Sequence, residues 1–328
     1  MSRSPKTLIV ALYPGEFGWE LMNWQGRVRW TIAHGGYDRV VICARADRRA
    51  LYACGDHNSR VVFCPVSDAD LPGHRNEDHR VNAEGRAVDA TVLRTLLKQQ
   101  VGTACEPLGV SPAEATLLLP PCDGTLWPTA RTHQVFTDLR VRQEVKTDIL
   151  VVPRIRILAA ERNMTAAWWE DLAGRLRDDG LSVETYEPRL DEAIRQLSRA
   201  RLAIGASTGG LHLASLCRCP HYVWGCGGEA RWTRMGITNR QRYETIWNPL
   251  GTPCRYDECG WRPSIEHIVD ESRRALDQLG LEGGTSQPGL SLKPKWRVKR
   301  RLARLLEHDG RWTVWPWRVR ELVREHFV

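Results

Sequence analysis

The residues best suited to grip an anion lie between Leu202 and Leu216. A short apolar run breaks at Gly205, passes through Ala206-Ser207-Thr208-Gly209-Gly210, and resumes with Leu211, Leu213, Ala214 and Leu216 at helical spacing. That is a strand, a tight turn and the start of a helix. The paired Gly209 and Gly210 let a ligand approach the backbone, Ser207 and Thr208 can cap or donate, and free N–H groups in a first helical turn favour a phosphate. His212, in that first turn, could donate to the same anion. An ordinary strand-to-helix turn fits the pattern equally well, so the neighbouring residues must decide.

Two further groups could act with this turn. Val152-Pro-Arg154-Ile-Arg156 leads into Glu161-Arg162-Asn163, placing guanidinium groups at the expected carboxyl end of a strand. Arginine forks match phosphate oxygens, and facing a helix start they would hold a diphosphate without a metal ion. Surface ion pairing is the plainer alternative. In the first half, Glu16 and Glu20 flank Phe17-Gly18-Trp19. A carboxylate there could serve as general base for an acceptor hydroxyl, although acids in a first helical turn are favoured by the macrodipole alone. Glu20 suits that capping explanation better, so Glu16 is the first choice as base.

These groups need strands and helices to position them. Thr7 to Tyr13 reads as a buried strand, Leu21, Trp24, Val28 and Ile32 as a helix stopped by His34-Gly35-Gly36, and Val40 to Cys43 and Val61 to Cys64 as two more strands. A helix over Arg48 to Cys54 is expected between those two. Pro65 to Arg86 is a polar loop with His74, Asp78 and His79, 87–100 is helical, and 101–147 is irregular and proline-rich. Asp148 to Val152 opens a second unit of the same kind, with a helix capped by Thr165 and ended by Gly180. Strands over Leu181 to Tyr186, Leu202 to Gly205 and His221 to Trp224 and a helix over Asp191 to Arg199 complete it. Strand–helix alternation implies parallel sheets, giving an α/β fold of two doubly wound, Rossmann-like domains facing a cleft. The expected division is 1–135, 136–285, and a basic tail over 286–328.

Composition narrows the function classes. The 328 residues are 42% hydrophobic and 26% charged, with no apolar run long enough to span a bilayer and no signal-like start. A cytoplasmic protein is expected. Of the net charge of +8, the eleven Lys and Arg against four acids in residues 291–328 account for nearly all. Trp296, Trp312, Trp315 and Trp317 are interleaved with them. Such a tail suits peripheral contact with an anionic membrane, contact with nucleic acid, or a solvated face packed back on the body. The ten cysteines read as reduced. Cys217, Cys219, Cys226, Cys254 and Cys259 follow no zinc-knuckle spacing, so no metal is expected. Neither Gly-x-Gly-x-x-Gly after the first strand nor a Gly-Lys-Ser/Thr loop is present, which counts against hydride transfer and ATP hydrolysis.

Taken together, the Gly-acid turn after the first strand, the proline-rich link and the Arg-bearing strand end join two later segments. These are Gly205-Ala-Ser-Thr-Gly-Gly-Leu-His-Leu-Ala-Ser215 and Cys219-Pro-His-Tyr-Val-Trp-Gly225. The set resembles the two-domain GT-B glycosyltransferases, heptosyltransferase-like branch. The resemblance implies a nucleotide diphosphate sugar donor held by Ser207, Thr208, Gly209, Gly210 and His212, with Arg154 or Arg156 assisting; the strand end described above adds Arg162 and Asn163. The resemblance places the acid on Glu16, where that branch usually has Asp, and implies inverting, metal-independent transfer to an acceptor hydroxyl with no bound cofactor. The acceptor class stays open among glycan, lipid-linked, protein and modified DNA base. A sugar-nucleotide epimerase and a non-catalytic nucleotide-binding protein are the alternatives.

Overall fold

The computed structural model describes residues 5–52, 59–73, 77–82, 84–123, 133–225 and 238–282. The tail over 286–328, His74 and Cys226 lie outside them. Among the described residues there are two parallel sheets. The first has strands β1 (Thr7–Val10), β2 (Arg39–Ala44), β3 (Val61–Pro65) and β4 (Thr116–Leu118) in the order β3-β2-β1-β4. The second has β5 (Thr147–Val151), β6 (Val183–Thr185), β7 (Ala200–Ala206), β8 (His221–Trp224) and β9 (Cys254–Asp257) in the order β6-β5-β7-β8-β9. Every pairing is parallel. The strands are near-continuous apolar runs because helices cover them. This is the doubly wound α/β architecture expected from the sequence.

Helices follow the expected rhythm with instructive exceptions. The helix after β1 is broken into α1 (Phe17–Trp19), a π-helical turn (Glu20–Trp24) and α2 (Gln25–His34). Residues 46–52 form a 3₁₀ segment in place of the expected α-helix. α3 (Ala90–Cys105) starts on the Asp89 side chain, which accepts from Thr91 and Val92 N–H. α4 (Ala166–Asp178) starts on Thr165 as expected, and Gly180 follows it at φ +82°. α5 (Leu190–Arg199) and α6 (Gly209–Leu216) flank β7. Near the C-terminal side, α7 (Asn239–Gln241) runs into a second π-helical turn (Arg242–Ile246), and α8 (Ile265–Glu282) covers the last strands.

The sequence reading missed β4 and β9. β4 has three residues set between Pro112 and Pro120, too few to show a period, and exists because Leu8, Ile9 and Val10 of β1 pair with it. β9 contains Arg255 and Asp257, which mask an edge strand in the sequence.

Topology decides where chemistry can happen. In each sheet the chain builds outward from its first strand on one side, then crosses to the other. The reversal falls between β1 and β4 in the first sheet and between β5 and β7 in the second. Crevices at the carboxyl ends of such strands are where ligands bind in open α/β sheets. Glu16 follows β1, Arg154 follows β5 and Ser207 follows β7, so all three segments leave at reversal points. Between the sheets one apolar cluster runs without interruption from Leu8, Val10 and Ile42 through Trp19, Leu21 and Met22 to Leu211, Leu213 and Leu150.

Candidate active site

Glu16 is the N-cap of α1, yet its carboxylate does not cap. Its backbone carbonyl accepts from Trp19 N–H at 3.0 Å and Glu20 N–H at 3.1 Å, and no side-chain capping bond forms. Macrodipole stabilisation therefore does not explain where this side chain goes. Its Oε1 accepts instead from Arg156 Nη2 at 3.0 Å, on the other side of the interlobe seam. The same Nη2 donates to Glu77 Oε2 at 3.4 Å. Burial disfavours the Arg156 charge, but Glu16 and Glu77 together hold its pKa above the ordinary guanidinium value. Glu77 also accepts from the backbone N–H of Ile157 and, at 2.9 Å, of Leu158. Carboxylates from the 77 loop and from α1 thus converge on one guanidinium from the opposite lobe.

Glu20 takes a different position. It is only 6% exposed, accepts from Tyr52 OH at 2.6 Å, and pairs with Arg48 at 3.3 Å. Burial raises its pKa, with Arg48 and Tyr52 opposing. Its carboxyl is enclosed by these two partners, whereas that of Glu16 is bonded across the seam. Glu20 orders Arg48, whose guanidinium stacks 4.3 Å from the Phe17 ring centre.

Arg154 is held within its own loop. Its buried guanidinium donates to the carbonyls of Ala159 at 3.0 Å and Leu158 at 3.3 Å, and to Asn163 Oδ1. Burial, then repulsion from Arg156 and Arg162, lowers its pKa to about 10, which still leaves it charged at neutral pH. Asn163 returns a bond to the Arg156 carbonyl at 2.6 Å. Arg154 and Asn163 therefore shape the 155–163 loop from inside. Arg162 points elsewhere, 5.0 Å over the Trp261 ring and paired with Glu161 at 3.4 Å. Of the four expected phosphate contacts from this strand end, Arg156 alone faces the seam.

The turn after β7 is built as the sequence suggested. Thr208 is the N-cap of α6 in an extended conformation with no side-chain capping bond, and its carbonyl accepts from Leu211 and His212 N–H. The N–H groups of Gly209 and Gly210 find no acceptor among the described residues. Both glycines are needed for close approach. A Cβ on Gly209 would stand 2.9 Å from Phe17 Cδ1, and one on Gly210 would stand 2.7 Å from Val152 Cγ1. The Ser207 hydroxyl is bonded to Tyr243 OH, which accepts from Arg242 Nη2 at 3.3 Å.

His212 lies against Gly18 on one side and aromatic rings on the other. Its ring centre is 4.3 Å from that of Trp247 and 5.9 Å from that of Tyr243. A Cβ on Gly18 would stand 2.9 Å from His212 Cδ2. Burial, followed by the nearby Arg242 and His221, lowers its pKa to about 3, so the ring is neutral at physiological pH. Trp19 of the first lobe meets Trp247 edge-on with ring centres 5.8 Å apart.

Sequence reasoning missed Glu77, Arg242, Tyr243 and Trp247. Glu77 sits in a polar tract without rhythm. Tyr243 and Trp247 are spaced i,i+4 just after Arg242, a legible signal for one aromatic helical face, and the Arg242 guanidinium lies over both rings. Asp78 and His79, in the expected polar loop, are buried. Arg80 grips Asp78 at 2.8 Å, and His79 bonds Asp68 at 3.0 Å and the Pro72 carbonyl at 2.9 Å. Among the described residues Cys217 and Cys219 are buried after α6, Cys254 opens β9 and Cys259 follows its end, whereas Cys43, Cys64 and Cys105 lie together in the first lobe.

No family model and no curated protein matches the sequence. Solved structures do. The ADP-heptose lipopolysaccharide heptosyltransferase II of E. coli is 13% identical, with 83% of this chain and 99% of that chain covered at a TM-score of 0.41. The E. coli heptosyltransferase WaaC with ADP is 9% identical, with 82% and 99% covered at 0.44. The iron-containing dodecameric glycosyltransferase TibC of enterotoxigenic E. coli H10407 is 12% identical, with 85% and 77% covered at 0.42.

Proposed function

We propose that this protein is a glycosyltransferase that moves a sugar from a nucleotide diphosphate donor to an acceptor hydroxyl. One observation carries the reading: α1 brings an uncapped carboxylate, Glu16, within two residues of Gly18, whose backbone packs on the uncapped N-terminus of α6. A base and an anion cradle are thereby joined at the seam between two sheet reversal points.

In this reading the donor pyrophosphate takes the N–H groups of Gly209 and Gly210 and the guanidinium of Arg156, with Ser207, Thr208 and neutral His212 as further donors. Arg156 exchanges its bond to Glu16 for the phosphate, which frees the Glu16 carboxylate for the acceptor. Glu16 takes the acceptor proton as the oxygen bonds to the anomeric carbon. The bond from that carbon to the phosphate oxygen breaks, and the nucleoside diphosphate leaves with both electrons. A single displacement of this kind inverts the anomeric centre. Helix amides and guanidinium meet the departing charge, a role a divalent ion fills elsewhere, which supports metal-independent transfer. Domain limits near 135 and 285 belong to the same proposal, supported by the stretch between β4 and β5 and by the end of α8 at Glu282.

A calorimetric panel of nucleotide diphosphate sugars, followed by transfer assays with the donor that binds, tests the proposal. Glu16→Gln should keep donor affinity within a few-fold and lose transfer. Donor conversion without any acceptor would favour the epimerase, and binding without turnover the non-catalytic reading.

A further inference from the structure

A second group of side chains lies away from the seam, at the carboxyl end of β9. Asp257 is the last residue of β9, Cys259 follows it, and His267 is in the first turn of α8. One donor atom from each, a carboxylate oxygen, a thiol sulfur and an imidazole nitrogen, fall within 4.8 Å of one another. All three residues are partly open to solvent.

We propose that Asp257, Cys259 and His267 form a binding site for a single Zn²⁺-class divalent cation, distinct from the sugar-transfer site and independent of that reading. The donor set is mixed in softness, as borderline cations prefer, and carries two potential negative charges with one neutral imidazole. Ligand bonds of about 2.0–2.3 Å around a tetrahedral centre put ligand atoms roughly 3.3–3.8 Å apart, so the wider separations within the 4.8 Å group must shorten by roughly 1 Å while the 2.6 Å Asp257–His267 contact opens. Short side-chain rotations on a strand end and a helix start supply that.

The surroundings are arranged as a second layer would be. Asp257 Oδ2 accepts from the wholly buried Tyr222 at 3.0 Å and from His267 Nε2 at 2.6 Å. Cys259 is hydrogen-bonded to the Asp257 carboxylate and to Tyr222, so the three side chains already form one connected group, and Tyr222 fixes the plane of the carboxylate. The Asp257 carbonyl accepts from Gly225 N–H at 3.2 Å, tying the ligand's backbone to β8. Three protein ligands leave the fourth position for water, the arrangement of an open site. The strand also links this site to the seam: Tyr256, next to Asp257, stacks on Tyr243 with ring centres 4.6 Å apart.

The test is Co²⁺ titration of the chelator-treated full chain, followed by absorption spectroscopy and Zn²⁺ competition. One Co²⁺ per chain is expected, with a near-ultraviolet thiolate band that Zn²⁺ abolishes. Cys259→Ser should remove that band, and His267→Ala should weaken binding at least ten-fold. Tyr222→Phe should weaken it about ten-fold and leave the band in place. Cys254→Ser, at the other end of β9, should change nothing. Circular dichroism and melting of the metal-free variants separate lost ligands from lost folding. Absence of a thiolate band in the wild-type chain, or its survival in Cys259→Ser, would overturn the proposal. So would equal affinity in His267→Ala.

Discussion

Gly18→Ala probes the contact on which the proposed site depends. The added methyl would stand 2.9 Å from His212 Cδ2, inside the ordinary contact distance. His212 cannot withdraw, because Trp247 and Tyr243 hold its other faces. Overpacking of this kind costs about 1–3 kcal/mol. The backbone itself favours alanine: Gly18 is helical and not at positive φ, so the substitution returns about 0.4–1 kcal/mol through the unfolded chain. The net expectation in the wild-type background is a loss of about 0–2.6 kcal/mol, centred near 1.3 kcal/mol, or a few degrees in Tm. In a His212→Ala background the obstacle is gone, and Gly18→Ala should become neutral or slightly stabilising. A double-mutant cycle by urea unfolding reads the difference directly. An equal cost in both backgrounds, or a gain in the wild type, would show that α1 does not press on α6 through His212, and the joined base and cradle would be lost with it.

Other perturbations separate the roles assigned above. Glu16→Gln should reduce transfer by about 10²–10⁴-fold with donor affinity within a few-fold, read by kinetics and calorimetry. Arg156→Ala should weaken donor binding at least ten-fold, whereas Arg154→Ala should act first on the 155–163 loop, as new protease cleavage there before any change in affinity. His212 gives a pH signature. Its pKa is about 3 when folded against about 6.5 in the unfolded chain, so the unfolded state binds the proton first as pH falls. That contribution is complete above pH 6.5 and is lost progressively down to about pH 3, amounting to about 2 kcal/mol by pH 5. His212→Gln should flatten the stability profile over that window, and an unchanged slope would contradict the buried neutral ring.

The chain's own pattern determined the strands rich in Val, Ile and Leu, the caps at Asp89 and Thr165, and the glycine turn before α6. Each is written within a few neighbouring residues, where period and turn chemistry act. Only tertiary structure decided the rest. β4 exists because β1 is beside it, and Glu20 is enclosed because Tyr52 and Arg48 fold over it. Two arginines two residues apart point opposite ways because one is held by Asn163 and the other by Glu16 and Glu77. A sequence specifies which groups carry charge and hydrogen bonds. Which of them is used up inside its own loop, and which is left facing another lobe, depends on partners far away in the chain that become neighbours only on folding.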